Sequence, residues 1–286
     1  MKKKLLYIIL VLIFTCSVFL VACDEQTPDT SGTPSNTSTP TPTANSGTPG
    51  TPINPPDTGT TTDLTLSEVQ SILTADIFDD WQGRKIIVNG TVYHKDYDLY
   101  QPAVLEMIRN EDTLVCTSSG SHLTITSGVV TSFIDTASKL YVVDNTVYRQ
   151  QFESGILVNQ DSIALNVFLA NSMMYGMTIQ SEGSNFQIFK TIIQDINEVF
   201  ESATKTVYSN GTYKIKILTD KGFFGLLPAG YDADLSFEFV FNTEDVLVEC
   251  IYEMTMDTPE EVADAIYKAE KYNEVIPAPD WLADFQ

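Results

Sequence analysis

Basic residues are scarce. The 286-residue chain has 16 Lys and Arg against 38 Asp and Glu, a net charge of −22. Nucleic acid needs a basic footprint that neutralises phosphates, so it is excluded as a partner, and an anionic membrane surface is an equally poor one. Histidine occurs twice, at His94 and His122. Neither belongs to a His-x-x-x-His or Cys-x-x-Cys spacing, so a zinc site has little to build from. The chain has no Gly-x-Ser-x-Gly, no glycine-rich phosphate loop and no dinucleotide fingerprint. Acids are plentiful, and Asp76, Asp79 and Asp80, or Asp96 and Asp98, could contribute oxygens to calcium. The EF-hand pattern is absent, however, and solvated acids are the simpler reading. Two carboxylates from distant strands would suffice for a glycosidase, and nothing in the sequence singles out any two. The sequence reads as a non-enzyme without cofactor or metal.

Aromatic residues are missing from Thr27 to Thr62, while eight of the 13 prolines fall there. Such a segment buries too little apolar surface to offset its ordering entropy, so it reads as a disordered Thr/Pro/Ser-rich tether. Relaxed, a tether of this length spans about 35 Å; extended, it approaches ~110 Å. The remaining residues, 63–286, have 13 Lys and Arg against 34 Asp and Glu. They have the apolar content and length of one globular domain. Its acidity favours solubility and cationic partners.

Cysteine is also rare, with four in the chain: Cys16, Cys23, Cys116 and Cys250. Cys23 ends a segment that begins with Lys2, Lys3 and Lys4 and continues as the apolar run Leu5–Val21. A positive start, an apolar core and small residues before a cleavage point describe a secretory signal peptide. A plain transmembrane anchor is the other reading, at about the minimum length for a span. Leu20-Val21-Ala22-Cys23 resembles the lipobox of bacterial lipoproteins. That resemblance implies a leader of residues 1–22, cleavage before Cys23, and acyl chains on Cys23. Residues 23–62 then hold the domain to the cell membrane, outside the cytoplasm. Two or three acyl chains bind far more firmly than one. Asp24 resembles an inner-membrane retention signal of bacteria with two membranes. Outside the cytoplasm a Cys116–Cys250 disulfide is possible. Two buried thiols are the alternative, and spacing does not choose between them.

Within the domain, Thr65 followed by Glu68 is a capping box for a helix over 65–75. Lys85–Val88 and Thr91–His94 flank Asn89-Gly90, a hairpin signal. Short β-branched runs follow to Phe152, broken at Asn110-Glu111-Asp112, Ser118-Ser119-Gly120, Ser127-Gly128 and Asp144-Asn145, and predict an antiparallel meander. Helices are expected from Asp161 to Met174 and over the apolar stripe Phe186, Phe189, Ile192, Ile193, Ile196, Val199 and Phe200. Strands resume around Asn210-Gly211 and over Leu235–Phe241 and Val246–Met256. Thr258-Pro259-Glu260-Glu261 predicts a last helix to Lys271, with Val262, Ala265, Ile266 and Ala269 on its buried face. The order predicts an α+β fold: a strongly curved, half-barrel-like antiparallel sheet with helices packed on its concave face.

The run Lys139–Tyr148, the order of elements over 65–256 and the ending Tyr272–Pro279 resemble the LolA/LppX/LprG-type lipoprotein carriers. The resemblance implies a cavity between sheet and helices that takes acyl chains, with no catalytic residues. The expected function is binding of a hydrophobic or amphiphilic ligand, as carrier or sensor. Met173, Met174, Met177, Phe223, Phe224 and Leu226 are the candidate cavity or lip residues, because Met adapts to irregular ligands and an apolar loop can form a cavity edge. The alternative is a surface module that binds an envelope protein or a glycan through its acidic exterior.

Overall fold

The structure, a computed structural model, describes residues 59–74, 76–110, 113–171, 189–219 and 231–285. Twelve strands form one sheet, antiparallel throughout and not closed into a barrel. In chain order they are β1 (Thr60–Leu64), β2 (Arg84–His94), β3 (Leu99–Arg109), β4 (Leu114–Thr126), β5 (Val129–Val143), β6 (Thr146–Glu153), β7 (Ile156–Ala164), β8 (Phe200–Val207), β9 (Tyr213–Thr219), β10 (Asp232–Phe241), β11 (Leu247–Asp257) and β12 (Glu261–Lys271). Across the sheet the order is β1-β8-β9-β10-β11-β12-β2-β3-β4-β5-β6-β7. Two meanders are thus joined at a β12–β2 seam of eleven residue pairs.

This corrects the α+β expectation. The described helices are few and small: α1 (Leu66–Ile72), α2 (Leu165–Asn171), the helical residues 189–194 and α3 (Ile196–Val199). The expected helix to Lys271 is the strand β12. Along it Ala263, Ala265, Tyr267 and Ala269 share one face, and Val262, Asp264, Ile266 and Lys268 the other. Pairing with β11 on one side and β2 on the other overrides the helix propensity of its Ala, Glu and Lys. The Thr258 hydroxyl still accepts from the Glu261 and Glu260 N–H groups, at 3.0 and 3.3 Å, but it closes the β11–β12 turn instead of starting a helix.

Asn89-Gly90 is likewise no hairpin. It lies inside β2, which pairs without a break to both neighbours. Ser118-Ser119-Gly120 runs through β4, so the expected short runs merge into longer strands. The turns at Ser127-Gly128, Asp144-Asn145, Asn210-Gly211 and Asn242–Asp245 fall where sequence placed them. The capping box of α1 is present. The Thr65 hydroxyl accepts from the Glu68 N–H at 3.4 Å, and the Glu68 carboxylate accepts from the Thr65 N–H at 2.7 Å. That second bond holds the Glu68 carboxyl below its ordinary range.

The core lies on one face of the sheet. Phe189 sits at its centre, with ring centroids 5.9–6.0 Å from Phe237, Phe239, Tyr252 and Tyr267. Ile192, Ile196 and Val199 are buried beside it, as the apolar stripe predicts. The Trp81 indole N–H donates to the Leu247 carbonyl at 3.2 Å and ties the segment after α1 to β11. The other face carries charge. Lys214 and Lys216 pair with Glu238 at 3.1 and 3.2 Å, Lys268 with Glu249 and Glu270, and Lys85 with Glu106. On β5 to β7 that outer face is covered by the chain's end. Asp280–Phe285 forms a 3-10 turn whose Phe285 meets Tyr148 at 5.5 Å. There the Gln150 amide donates to Asp284.

Candidate functional site

Strand register sorts the core face into rows. One row runs Cys250, Ala269, Ile86, Met107, Cys116, Leu140, Arg149 and Asp161 from β11 to β7. The two cysteines are free and buried in this row, four strand spacings apart. That is roughly 19 Å along the sheet, against the 7 Å or less between Cα atoms that a disulfide needs. Burial pushes the Cys116 thiol up to about 12 and Cys250 well above its ordinary value.

The next rows toward the β11–β12 turn differ in size. Tyr252 and Tyr267 stack in parallel with centroids 5.0 Å apart. Beyond them comes a row of the smallest side chains: Ala265, Gly90, Ala103 and Gly120 on β12, β2, β3 and β4. A Cβ built on Gly90 would meet only strand backbone among the described residues, Asp264 O at 3.6 Å and Ala103 O at 4.0 Å. Among the described residues the core face therefore dips into a trough along this row. Leu235, Met254 and Met256 bound the trough on the β10–β11 side. All three are apolar, and both methionines are buried.

The opposite side of the trough is polar. The Ser118 and Ser138 hydroxyls lie 2.8 Å apart. The Asn159 amide donates to Gln151 at 3.0 Å. Arg149 is held by Asp161 through two bonds, Nε at 2.9 Å and Nη2 at 2.6 Å. At the end of the face the buried Gln101 joins the His94 ring at 2.8 Å and donates to the Ser121 carbonyl at 2.6 Å. The core face thus grades from thioether and aliphatic groups on β10–β11 to hydroxyls, amides and a fixed guanidinium on β4–β7.

The residues singled out from sequence, Met173, Met174, Met177, Phe223, Phe224 and Leu226, lie outside the described residues, as does Cys23. Sequence reasoning missed the trough itself. Reading Asn89-Gly90 as a turn hid Gly90, although the alternation Ile86, Val88, Gly90, Val92 continues through it. Among the described residues no three His, Cys, Asp or Glu side chains converge on a metal position. Asp98 accepts from the Tyr93 hydroxyl at 3.1 Å, Asp76 accepts from Thr74, and Asp80 pairs with Lys271.

A second concavity of about 370 Å³ opens on the outer face. Small residues Ser119, Gly120, Ser121 and Ala137 floor it, with Pro102, Val104 and Asp135 around them. The buried Ser121 hydroxyl donates to Asp135 at 3.0 Å.

No family model matches the sequence, and no curated protein matches it. Among solved structures, a beta-barrel-like protein of a domain of unknown function, DUF1849, from Brucella abortus aligns over 67% of this chain and 98% of its own, at 8% identity and a TM-score of 0.24. A putative AttH protein from Nitrosomonas europaea aligns over 70% of this chain and 54% of its own, at 8% identity and a TM-score of 0.16. Superpositions this loose transfer nothing from either protein to this one.

Proposed function

We propose that the domain is a non-enzymatic carrier or sensor for an amphiphilic molecule, held at the membrane through an acylated Cys23. The ligand lies in the trough across β12, β2, β3 and β4. Its apolar part rests toward Met254 and Met256, and its polar part toward Ser118, Ser138 and the Arg149–Asp161 pair. The observation that carries this reading is the space that the described residues leave over Gly90, on a face whose neighbouring rows carry larger side chains. Burying apolar ligand surface there contributes roughly 25 cal/mol per Å², and the graded polarity sets the ligand's direction.

The test is Gly90→Phe. Its φ is not positive, so a side chain brings no backbone strain. The variant is expected to fold with an unchanged urea midpoint and to release the lipid-extractable mass that gently purified wild-type protein retains in native mass spectrometry. Asn89→Phe, on the outer face, keeps that mass. Retention by Gly90→Phe moves the ligand elsewhere, and a bare wild-type mass with no uptake of added lipid removes the carrier reading.

The outer concavity favours a second reading, a surface module for a glycan. Tyr100 stacks on Tyr93 at 4.6 Å on the same face of β3 and leaves its ring largely exposed. Weakening of saccharide retention by Tyr100→Ala, with the trough untouched, would favour that reading over the carrier.

A further inference from the structure

The β4–β5 hairpin outruns its neighbours. β3 follows β4 only to Gly120, and β6 follows β5 only to Thr136. Ser121 to Asp135 therefore projects as a two-stranded arm, paired within itself through Thr126↔Val129. Six residues at about 3.4 Å each give it a reach of roughly 20 Å.

The arm is apolar where a soluble protein is normally polar. Ile125, Val129, Val130 and Phe133 are exposed on it, with Val129 at 64%. At its base the first residues of β7 expose Ile156, Leu157 and Val158, with Ile156 at 69%. The Ser154 N–H donates to the Asp135 carbonyl at 2.7 Å and joins the two hairpins. Charge is withdrawn from the same places. Residues 121–134 and 154–160 contain no Asp, Glu, Lys or Arg, in a chain of net charge −22. A patch this apolar marks an interaction surface.

We propose that this tip docks the domain onto the surface of a lipid bilayer, so that the trough faces the membrane from which its ligand is drawn or to which it is delivered. The proposal rests on the tethered-carrier reading above. Three observations select a bilayer. The tip is a projecting knob, a shape that enters a soft interface. It has no charged side chain with which to orient on a protein. Gly59, where the N-terminal segment reaches the sheet, precedes the Thr60↔Val207 pair at the opposite end of the strands. The 15-residue β5 is about 50 Å long. The 35 residues between Cys23 and Gly59 reach from about 35 Å relaxed to ~110 Å extended, so the anchor permits this pose. Penetration stops at the headgroup boundary, because the outer edges of the arm carry unpaired backbone groups that hydrocarbon would not satisfy. The acidic body makes docking best on zwitterionic lipid and poorer as anionic lipid is added.

The test uses the mature acylated protein in phosphatidylcholine vesicles, with an environment-sensitive dye on Val129→Cys. Cys116 and Cys250 are buried and leave this thiol as the labelled one. Glu244→Cys, in the β10–β11 turn at the far end, is the control. The expected result is a blue-shifted emission at 129, quenched by a lipid-borne quencher, with an aqueous spectrum at 244. Ile125→Asp with Val130→Asp abolishes the shift. Identical aqueous spectra at 129 and 244 overturn the proposal. A shift without vesicles that grows with protein concentration also overturns it and assigns the tip to a second copy. Gly90→Phe separates the two readings, since it removes ligand while leaving the shift at 129. Loss of ligand with docking intact counts against the carrier alone, and loss of docking with ligand intact counts against the tip alone.

Discussion

Cys116 and Cys250 share a row of the core face but face different neighbours, and neither reaches solvent. A thiol attacks only as thiolate, and burial raises both thiols far above neutral pH. Alkylation of the folded mature protein at pH 8 is therefore expected to leave both unmodified, while unfolding in urea exposes two. Mass spectrometry after a brief iodoacetamide pulse reads the count, and uptake of two labels in urea only after reduction would mark a bridge. Glu68 carries a pH dependence of known sign. Its carboxyl is held low by the Thr65 N–H in the folded chain. The capping contribution is thus fully present above the unfolded value near ~4.3 and is lost as pH falls through the lower folded value. Thr65→Ala removes the hydroxyl cap, at about 1 kcal/mol, whereas Glu68→Ala removes the titrating bond, and the deficit of Glu68→Ala relative to wild type should shrink as pH falls below 4 in urea titrations. Sequence showed this cap directly, because Thr65 and Glu68 act within one helical turn. It could not show Cys116 against Cys250, because their separation depends on which strands lie between them.

At the scale of elements, β12 is where local and long-range preferences conflict. Its Ala, Glu and Lys favour a helix, and Thr258-Pro259-Glu260-Glu261 has the form of a helix start. Two flanking strands decide otherwise. A helix places Ile266 on its buried side; the strand places it on the outer face and buries Tyr267. Ile266→Lys is accordingly expected to change stability by less than about 0.5 kcal/mol, and Tyr267→Ala to lower it by about 3 kcal/mol or more. Chemical denaturation of the two variants reads the difference. Asn210-Gly211 and Asn89-Gly90 teach the same lesson from the other side. The two dipeptides are identical, yet only the first turns the chain, between β8 and β9. The alternation of side chains carries straight on through the second, and the strand partners that keep it extended come from residues far away. Short hairpins were therefore legible, while the merging of runs into β4 and β5 was not. β7 was missed because its turn, Ser154-Gly155, was not among the expected breaks, and its end was absorbed into an expected helix.

For the whole molecule, an apolar core under an acidic exterior was legible in composition. The closing of two meanders into one sheet was not. It depends on β1 finding β8 and β12 finding β2, pairs with most of the domain between them. Loop closure must precede such contacts, which makes folding slow. Refolding from urea is expected in milliseconds to seconds or longer, with populated intermediates. The Trp81 indole bond to the Leu247 carbonyl links the segment before β2 to β11 across that seam, so the Trp81 fluorescence, read in a Trp281→Phe background, should change late relative to far-ultraviolet ellipticity. Simultaneous recovery of both signals would mean that the seam forms with the meanders.

The N-terminal segment enters the sheet through β1, a five-residue edge strand bonded to β8 alone. Under the tethered-carrier proposal, mechanical load between anchor and domain passes through that ladder. Pulled sideways, it opens one bond at a time from Thr60↔Val207; pulled lengthwise, it shears as a unit. In both directions it yields before the broader β12–β2 seam. Its release adds about 17 Å of slack, and the pull then halts at α1, where Val69 and Leu73 are buried in the core. The Gly90 trough begins five strand spacings away and feels none of this. Under that proposal β1 works as a sacrificial link, taking up tension while a ligand in the trough stays seated.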